Sequence, residues 1–213
     1  MKGRIALFLY QPYCSVQSGN GVIQALEPDY RFKIFSKQRL ESDFFDDVDI
    51  VCVPGGLGDA TSYDFLMRNN ADRIRDFVLR GGRYLGICMG AYWAGPQFLN
   101  LLNDLDADQY IRRPGTDTHR PHAKALKVDW KGQEEHMFFY DSCSIFGNGE
   151  FETVATYANG DNMAGYQRRI GMIGCHPESE LHWYNSYKYM LPHWHHRRHH
   201  DLLLDFTNEL MLK

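Results

Sequence analysis

The chain has 213 residues, 44% of them hydrophobic and 23% charged, a balance that one well-buried core accommodates without a second domain. Its formal net charge of -4 is unsuited to neutralising phosphates, which argues against nucleic acid as a partner. No apolar run approaches the roughly 18 residues of a membrane span, so a membrane partner is not expected either.

The opening MKGRIALFLY is too short in its apolar part for a secretory h-region, and no small-residue cleavage site follows. Five cysteines, Cys14, Cys52, Cys88, Cys143 and Cys175, are odd in number, widely spread and free of any C-x-x-C pair. They suit a reducing, cytoplasmic setting better than a disulfide framework. RIALFLY reads as a buried strand, the polar QPYCSVQSGN as a loop, and GVIQALE as helix. RFKIFS and DIVCVPGG are further strands, the second stopped by Pro54, Gly55 and Gly56. NNADRIRDFVLRGG places Ala71, Ile74, Phe77 and Val78 at helical spacing with both ends marked, and RYLGI returns as a strand into Cys88. The order strand, helix, strand, strand, helix, strand, helix over the first hundred residues predicts an α/β fold with a mainly parallel sheet and helices on its faces.

Residues 97–122 read as mixed and loop-like. From 123 to 175 the pattern turns to strands: ALKVDW, EHMFFYDSCSIF, ETVATY and RRIGMIGCH. The aromatic run MFFY is assigned to the sheet core. DLLLDFTNEL closes as a helix with Leu203, Phe206 and Leu210 on one face. With no internal repeat or low-complexity linker, residues 1–213 are expected to form one domain.

Gly86-Ile87-Cys88-Met89-Gly90 has the form of a nucleophile elbow with cysteine in the serine slot. Glycines two before and two after allow the backbone to fold tightly, exposing the side chain where a strand hands over to a helix. A general base and its orienting group are expected in His176-Pro177-Glu178. Proline holds that tripeptide extended, so His176 and Glu178 point to one side while Cys175 points to the other, into the core. PGGLGD after the strand DIVCV offers the backbone amides of Gly55 and Gly56 to a developing oxyanion, with the Met89 amide completing the hole. Nucleotide binding by this loop is disfavoured, because Thr61 stands where G-x-G-x-x-G needs its third glycine.

A strand ending in PGG, then G-I-C-x-G, then a late strand ending in G-x-x-x-H-P-E resembles the class I glutamine amidotransferase-like superfamily. Within it VCVPGG, GGRYLGICMGAYWAG and VATYANG followed by GMIGCHPE look closest to the biotin-protein ligase N-terminal domain family. The resemblance implies a flavodoxin-like three-layer sandwich, with some antiparallel strands in the C-terminal half. It also implies a Cys88, His176, Glu178 triad with an oxyanion hole at Gly56 and Met89. Glutaminases of the superfamily usually carry glutamine four residues after the nucleophile, where this chain has Tyr92. An aromatic side chain there narrows or reshapes the pocket. Nothing resembles the ligase's own catalytic domain, so biotin transfer is not implied.

The function expected is a cysteine-dependent hydrolase or amidotransferase-like enzyme. Its substrate is glutamine or another small amide, it passes through an acyl-thioester, and it needs no metal or organic cofactor. The alternative is a non-catalytic ligand-binding or regulatory domain on the same fold. Leu57, Tyr92 and Trp93 are candidate substrate contacts, and Asp59 and Tyr63 are weighed against a solvated loop. A separate acceptor subunit is left open as a partner. HWHHRRHH, residues 193–200, lacks a carboxylate third ligand at helical spacing, and a solvated polar face or contact surface is expected in preference to a metal site.

Overall fold

The computed structural model describes residues 3–213. In chain order its elements are β1 (Gly3–Phe8), α1 (Val16–Leu26), β2 (Tyr30–Phe35), β3 (Ile50–Val53), α2 (Ala60–Met67), α3 (Ala71–Leu79), β4 (Arg83–Ile87) and α4 (Met89–Trp93). There follow β5 (Leu105–Gln109), β6 (Lys124–Trp130), β7 (Gln133–Phe139), β8 (Cys143–Gly147), β9 (Glu152–Tyr157), β10 (Asn162–Gln167), β11 (Ile170–Ile173), α5 (Leu181–Asn185) and α6 (Arg198–Leu210).

Among the described residues the strands form one eleven-stranded sheet in the order β2-β1-β3-β4-β11-β10-β9-β6-β7, with β8 bridging β10 and β5. The strands β2, β1, β3, β4 and β11 pair in parallel, and the remaining pairings are antiparallel. The parallel strands are apolar on both faces, as IVCV of β3 and IGMI of β11 show, because helices cover both sides. On one side α1 and α6 pack Val22, Leu26, Leu203, Phe206 and Leu210 against Ile5, Leu7 and Ile87. On the other, Leu66, Ile74, Phe77 and Trp93 meet Phe8, Val51 and Tyr84. These are the three layers expected, and the face of α6 predicted from Leu203, Phe206 and Leu210 is buried.

Four local expectations change. Helix α1 starts at Val16 rather than near Gly21, because the Ser15 hydroxyl caps it by accepting from Ser18 N–H (3.2 Å). Residues 60–67, where no element is assigned from the sequence pattern, form α2, capped by Asp59 accepting from Ser62 N–H (2.8 Å). The region 97–122 contains β5, whose pairing with β8 is not local. EHMFFYDSCSIF is two strands, broken where Asp141 turns to φ 55°, a left-handed conformation that Asp tolerates better than most residues. No helix of the described residues is long and apolar enough to cross a membrane.

Candidate active site

Three neighbouring parallel strands, β3, β4 and β11, end side by side. Val53 lies opposite Gly86, and Ile87 opposite Ile173. The next residues of each chain segment therefore emerge together at the carboxyl edge of the sheet, where open α/β folds place their ligands. Gly55 and Gly56 come from β3, Cys88 from β4 and His176 from β11.

Cys88 has φ 49° and ψ −102°, outside the regions comfortable for an L-residue. Its N–H donates to the Ile173 carbonyl (2.8 Å) and its carbonyl accepts from Tyr92 N–H (3.1 Å), so the turn is fixed at both ends. A Cβ on Gly86 would run into the Gly90 carbonyl, and one on Gly90 into the Val53 carbonyl, which is why the elbow needs both glycines. Cys88 is 6% exposed, where the other four cysteines are at 0%. Burial pushes those four thiols up, Cys14 and Cys175 to about 12 and Cys52 and Cys143 well above their ordinary value. Cys175 lies in the core beside the Tyr157 hydroxyl (3.6 Å), as its strand parity predicted.

His176 Nδ1 bonds Glu178 Oε1 at 2.9 Å, and both side chains are buried. This leaves Nε2 for Cys88, with which His176 shares a cavity. Burial opposes protonation of His176, but the charges of Glu178 and the Cys88 sulfur outweigh it and hold the imidazole up to about 10. One member was not legible in the sequence. Ser18 on α1 donates its hydroxyl to Glu178 Oε1 at 2.6 Å and accepts from Gly55 N–H at 2.9 Å. Helix α1 and the PGG turn are thus tied to the carboxylate that orients the histidine.

That bond corrects the oxyanion expectation in part. The Gly55 amide is committed to Ser18. Gly56 lies at the cleft, and Met89 N–H, at the first position of α4, has no intrahelical partner. Gly56 and Met89 are therefore the two expected donors that the geometry leaves available.

Two cavities meet at Gly56, Cys88 and Tyr140. The first, about 280 Å³, runs past His176 to Phe138, Trp183 and Tyr187. The second, about 420 Å³, is lined by Leu57, Asp59, Met89, Tyr92, Asp108 and Asp141, among others. Leu57 and Tyr92 stand where the sequence reading put them. The Tyr92 hydroxyl donates to the Asp141 carbonyl (3.1 Å), tying α4 to the β7–β8 break, and burial pushes its pKa up. Gln109 donates to both Asp141 carboxylate oxygens (2.9 and 2.7 Å).

Trp93 and Tyr63 do not line the cleft. Trp93 is fully buried on the opposite face of α4, its indole N–H on the Gly58 carbonyl (3.3 Å), and Tyr63 packs edge-on against it. MFFY builds the sheet core only in part: Met137 and Phe139 are fully buried in it. Phe138 packs edge-on at 6.0 Å against the His176 ring, and Tyr140, 51% exposed, lines both cavities. The strand break at Asp141 that turns Tyr140 out of the sheet has no periodicity signal in the sequence.

The histidine-rich stretch is a solvated face only in part: His193, His196, Arg197 and Arg198 are exposed. His199 and His200 are buried, and His195 stacks on His199 at 4.2 Å. The Nε2–H groups of His195 and His200 both donate to the Ser179 carbonyl (3.0 and 3.1 Å), one residue beyond Glu178. Burial first, then neighbouring cationic charge, lowers His195 and His199 to about 3. The His195 and His200 rings thus anchor the His-Pro-Glu-Ser segment through the Ser179 carbonyl. Among the described residues no group of three His, Cys, Asp or Glu could hold a metal ion.

The family model described as biotin-protein ligase, N terminal, matches residues 13–103, from within the loop after β1 to just before β5. None of the curated proteins matches the chain. Among solved structures, a glutamine amidotransferase from Thermotoga maritima is similar, with TM-score 0.66 and 14% identity, over 100% of this chain and 97% of that one. PurLQS from the same organism gives 0.62 and 14%, over 99% and 100%. A glutamine amido transferase from Methylobacillus flagellatus gives 0.58 and 14%, over 90% and 76%. The chain has the class I glutamine amidotransferase-like fold, and through residues 13–103 it matches the biotin-protein ligase N-terminal family.

Proposed function

We propose that the protein is a cysteine-dependent enzyme that cleaves an amide through a covalent acyl-thioester. The observation that carries this is the chain of contacts from Ser18 through Glu178 to His176, which faces Cys88 where two cavities meet. Cys88 Sγ attacks the carbonyl carbon, and the oxyanion is received by the Gly56 and Met89 amides. His176 gives its proton to the leaving nitrogen as the C–N bond breaks, and Glu178 holds the imidazolium in place. Water, or an amine in a transfer reaction, then attacks the thioester; His176 takes the proton and Cys88 is released. Where ammonia is the product, a separate subunit is its natural acceptor.

L-Glutamine is not the best fit. The second cavity is lined by Asp59, Asp108 and Asp141 and by no Lys, Arg or His, so it offers carboxylates to the α-ammonium of glutamine but no cationic partner to its α-carboxylate. Tyr92 occupies the position from which a glutamine side chain would hold that substrate.

The test is a screen of small amides for amine or ammonia release, wild type against Cys88→Ala, with intact-mass detection of an acyl adduct. Turnover lost in Cys88→Ala, with an adduct on the wild type, supports the reading. Equal rates, or neither turnover nor adduct, favour the binding-domain alternative.

A further inference from the structure

Given the Cys88 chemistry proposed above, we infer that the substrate is an N-substituted amide whose amine portion carries an aromatic or bulky apolar group, seated among Phe138, Trp183 and Tyr187. The two cavities meet at the nucleophile, and the chemistry assigns a side to each. A leaving nitrogen has to sit beside the group that protonates it. His176 lines the 280 Å³ cavity and not the other, so the amine portion lies there. The Met89 amide belongs to the 420 Å³ cavity, which places the acyl portion beyond the oxyanion donors on that side.

If the leaving group were ammonia, a single heavy atom, the first cavity would have nothing to hold. Instead one side of it is a wall of rings. Phe138 and Trp183 meet edge to face at 5.1 Å, Trp183 packs against His176 at 5.5 Å, and Tyr187, 39% exposed, closes the rim. No Lys, Arg, Asp or Glu lines this cavity, so the group it takes is uncharged; Ser15, Gln17 and Ser186 leave room for a polar edge opposite the ring wall, against which its apolar face lies. A small cluster of Ala123, Phe138, Tyr184 and Met190 backs the ring wall and holds α5 against β7.

The reaction balances without a co-reactant other than water. Cys88 Sγ bonds to the carbonyl carbon, the C–N bond breaks, and the substituted amine leaves with the His176 proton. Water then splits the thioester to a carboxylic acid and the free thiol.

The experiment compares three acyl groups, butyryl, γ-glutamyl and 4-aminobutyryl, each as primary amide, N-methylamide and N-benzylamide. Methylamine and benzylamine are detected by an amine-reactive dye, ammonia enzymatically. Benzylamine and ammonia are nearly equal in basicity, so a preference between their amides reports on the cavity and not on the leaving group. For at least one acyl group the expected kcat/KM for the benzylamide exceeds that for the primary amide by roughly tenfold or more. Tyr187→Ala, at the exposed rim, and Trp183→Ala both lower that ratio. Primary amides cleaved as fast as benzylamides in every series would overturn the inference while leaving the Cys88 chemistry standing. A preference that both variants leave unaltered would overturn it too. No turnover and no Cys88 adduct with any of the nine compounds would sink the amide-cleaving reading itself.

Discussion

Replacing Ser18 by alanine tests whether the buried contact chain is what holds the site together. The hydroxyl makes two bonds, donating to Glu178 Oε1 at 2.6 Å and accepting from Gly55 N–H at 2.9 Å. Ser18 and Glu178 are both fully buried, so no water replaces either bond directly. A hydrogen bond to a charged group is worth about 1.5–3 kcal/mol, and a buried N–H left without a partner costs about 1–3 kcal/mol. The two losses share one side chain and are not additive, so about 2–4 kcal/mol is the expected loss of stability. At about 2–4 °C per kcal/mol for a chain of this size, Tm falls by roughly 4–16 °C. Glu178 Oε2 has no partner among the described residues, so the carboxylate has little else to fix it once Ser18 is gone. The His176 ring then loses its orientation, and chloroacetamide labelling of Cys88 at neutral pH slows by roughly tenfold, read by intact mass. A Ser18→Ala protein with wild-type Tm and wild-type labelling rate would refute the claim that this hydroxyl supports the site.

Four further outcomes follow from other contacts. Cys88→Ser removes one of the charges that hold His176 up to about 10, so the imidazole midpoint measured by NMR should fall by about one pH unit or more; an unchanged midpoint would separate the two side chains electrically. A His176 value raised above the unfolded one adds stability that is complete below about pH 6.5 and lost as pH rises toward 10, so denaturant midpoints for wild type and His176→Gln should converge over that window. His195 and His199, lowered to about 3, work the other way. The unfolded chain binds the extra protons between about pH 6.5 and 3, so stability is full above that window and falls within it, by up to about 1.4 kcal/mol per pH unit for each ring. Acid titration of the denaturant midpoint should show this slope, flattened in His199→Gln. Tyr92→Gln removes the ring and its bond to the Asp141 carbonyl and puts an amide where the glutaminases carry one. Ammonia release from L-glutamine should rise by roughly threefold or more, and no increase in a folded variant would show that the lack of a cationic partner for the α-carboxylate, not Tyr92, sets the barrier.

The parallel half of the fold was legible because its strands are continuous apolar runs closed by glycine or proline, as in VCVPGG and YLGIC. The contribution of Cys88, His176 and Glu178 to one location was legible for the same reason: two of those runs end at the reacting groups, and the spacing of His-Pro-Glu fixes a common direction. The cleft walls were not. Ser18 reaches Glu178 across 160 positions through the docking of α1, and no local pattern encodes such a distance. Tyr140 leaves the sheet at a left-handed aspartate that nothing in EHMFFYDSCSIF marks. Trp93 was misplaced because adjacent residues on a helix face different ways, and sequence position after Cys88 does not say which of Tyr92 and Trp93 turns inward. His199 and His200 read as part of a surface run because their burial depends on Glu135 and the Ser179 carbonyl, both remote in sequence.

The backbone at Cys88 offers a last test, independent of any substrate. A non-glycine residue held in a sparsely populated conformation costs about 1–3 kcal/mol and persists because its surroundings over-determine it. Here the determinants are the bonds to Ile173 and Tyr92 and the close packing of Gly86 and Gly90, and none of them involves the sulfur. At an ordinary position alanine is more stabilising than glycine by about 0.4–1 kcal/mol, because glycine has more freedom to lose on folding. At φ 49° the order should invert: Cys88→Gly relieves the Cβ contact, and Cys88→Ala retains it. Both variants lack the thiol and leave a similar gap beside His176, so the difference between them isolates the backbone term. Chemical denaturation should place Cys88→Gly above Cys88→Ala by about 0.5–1 kcal/mol. Alanine equal to or better than glycine would mean that the turn is relaxed. The stability given up to raise the sulfur to the cleft would then be absent, and with it a physical reason for an L-residue to be kept at this position.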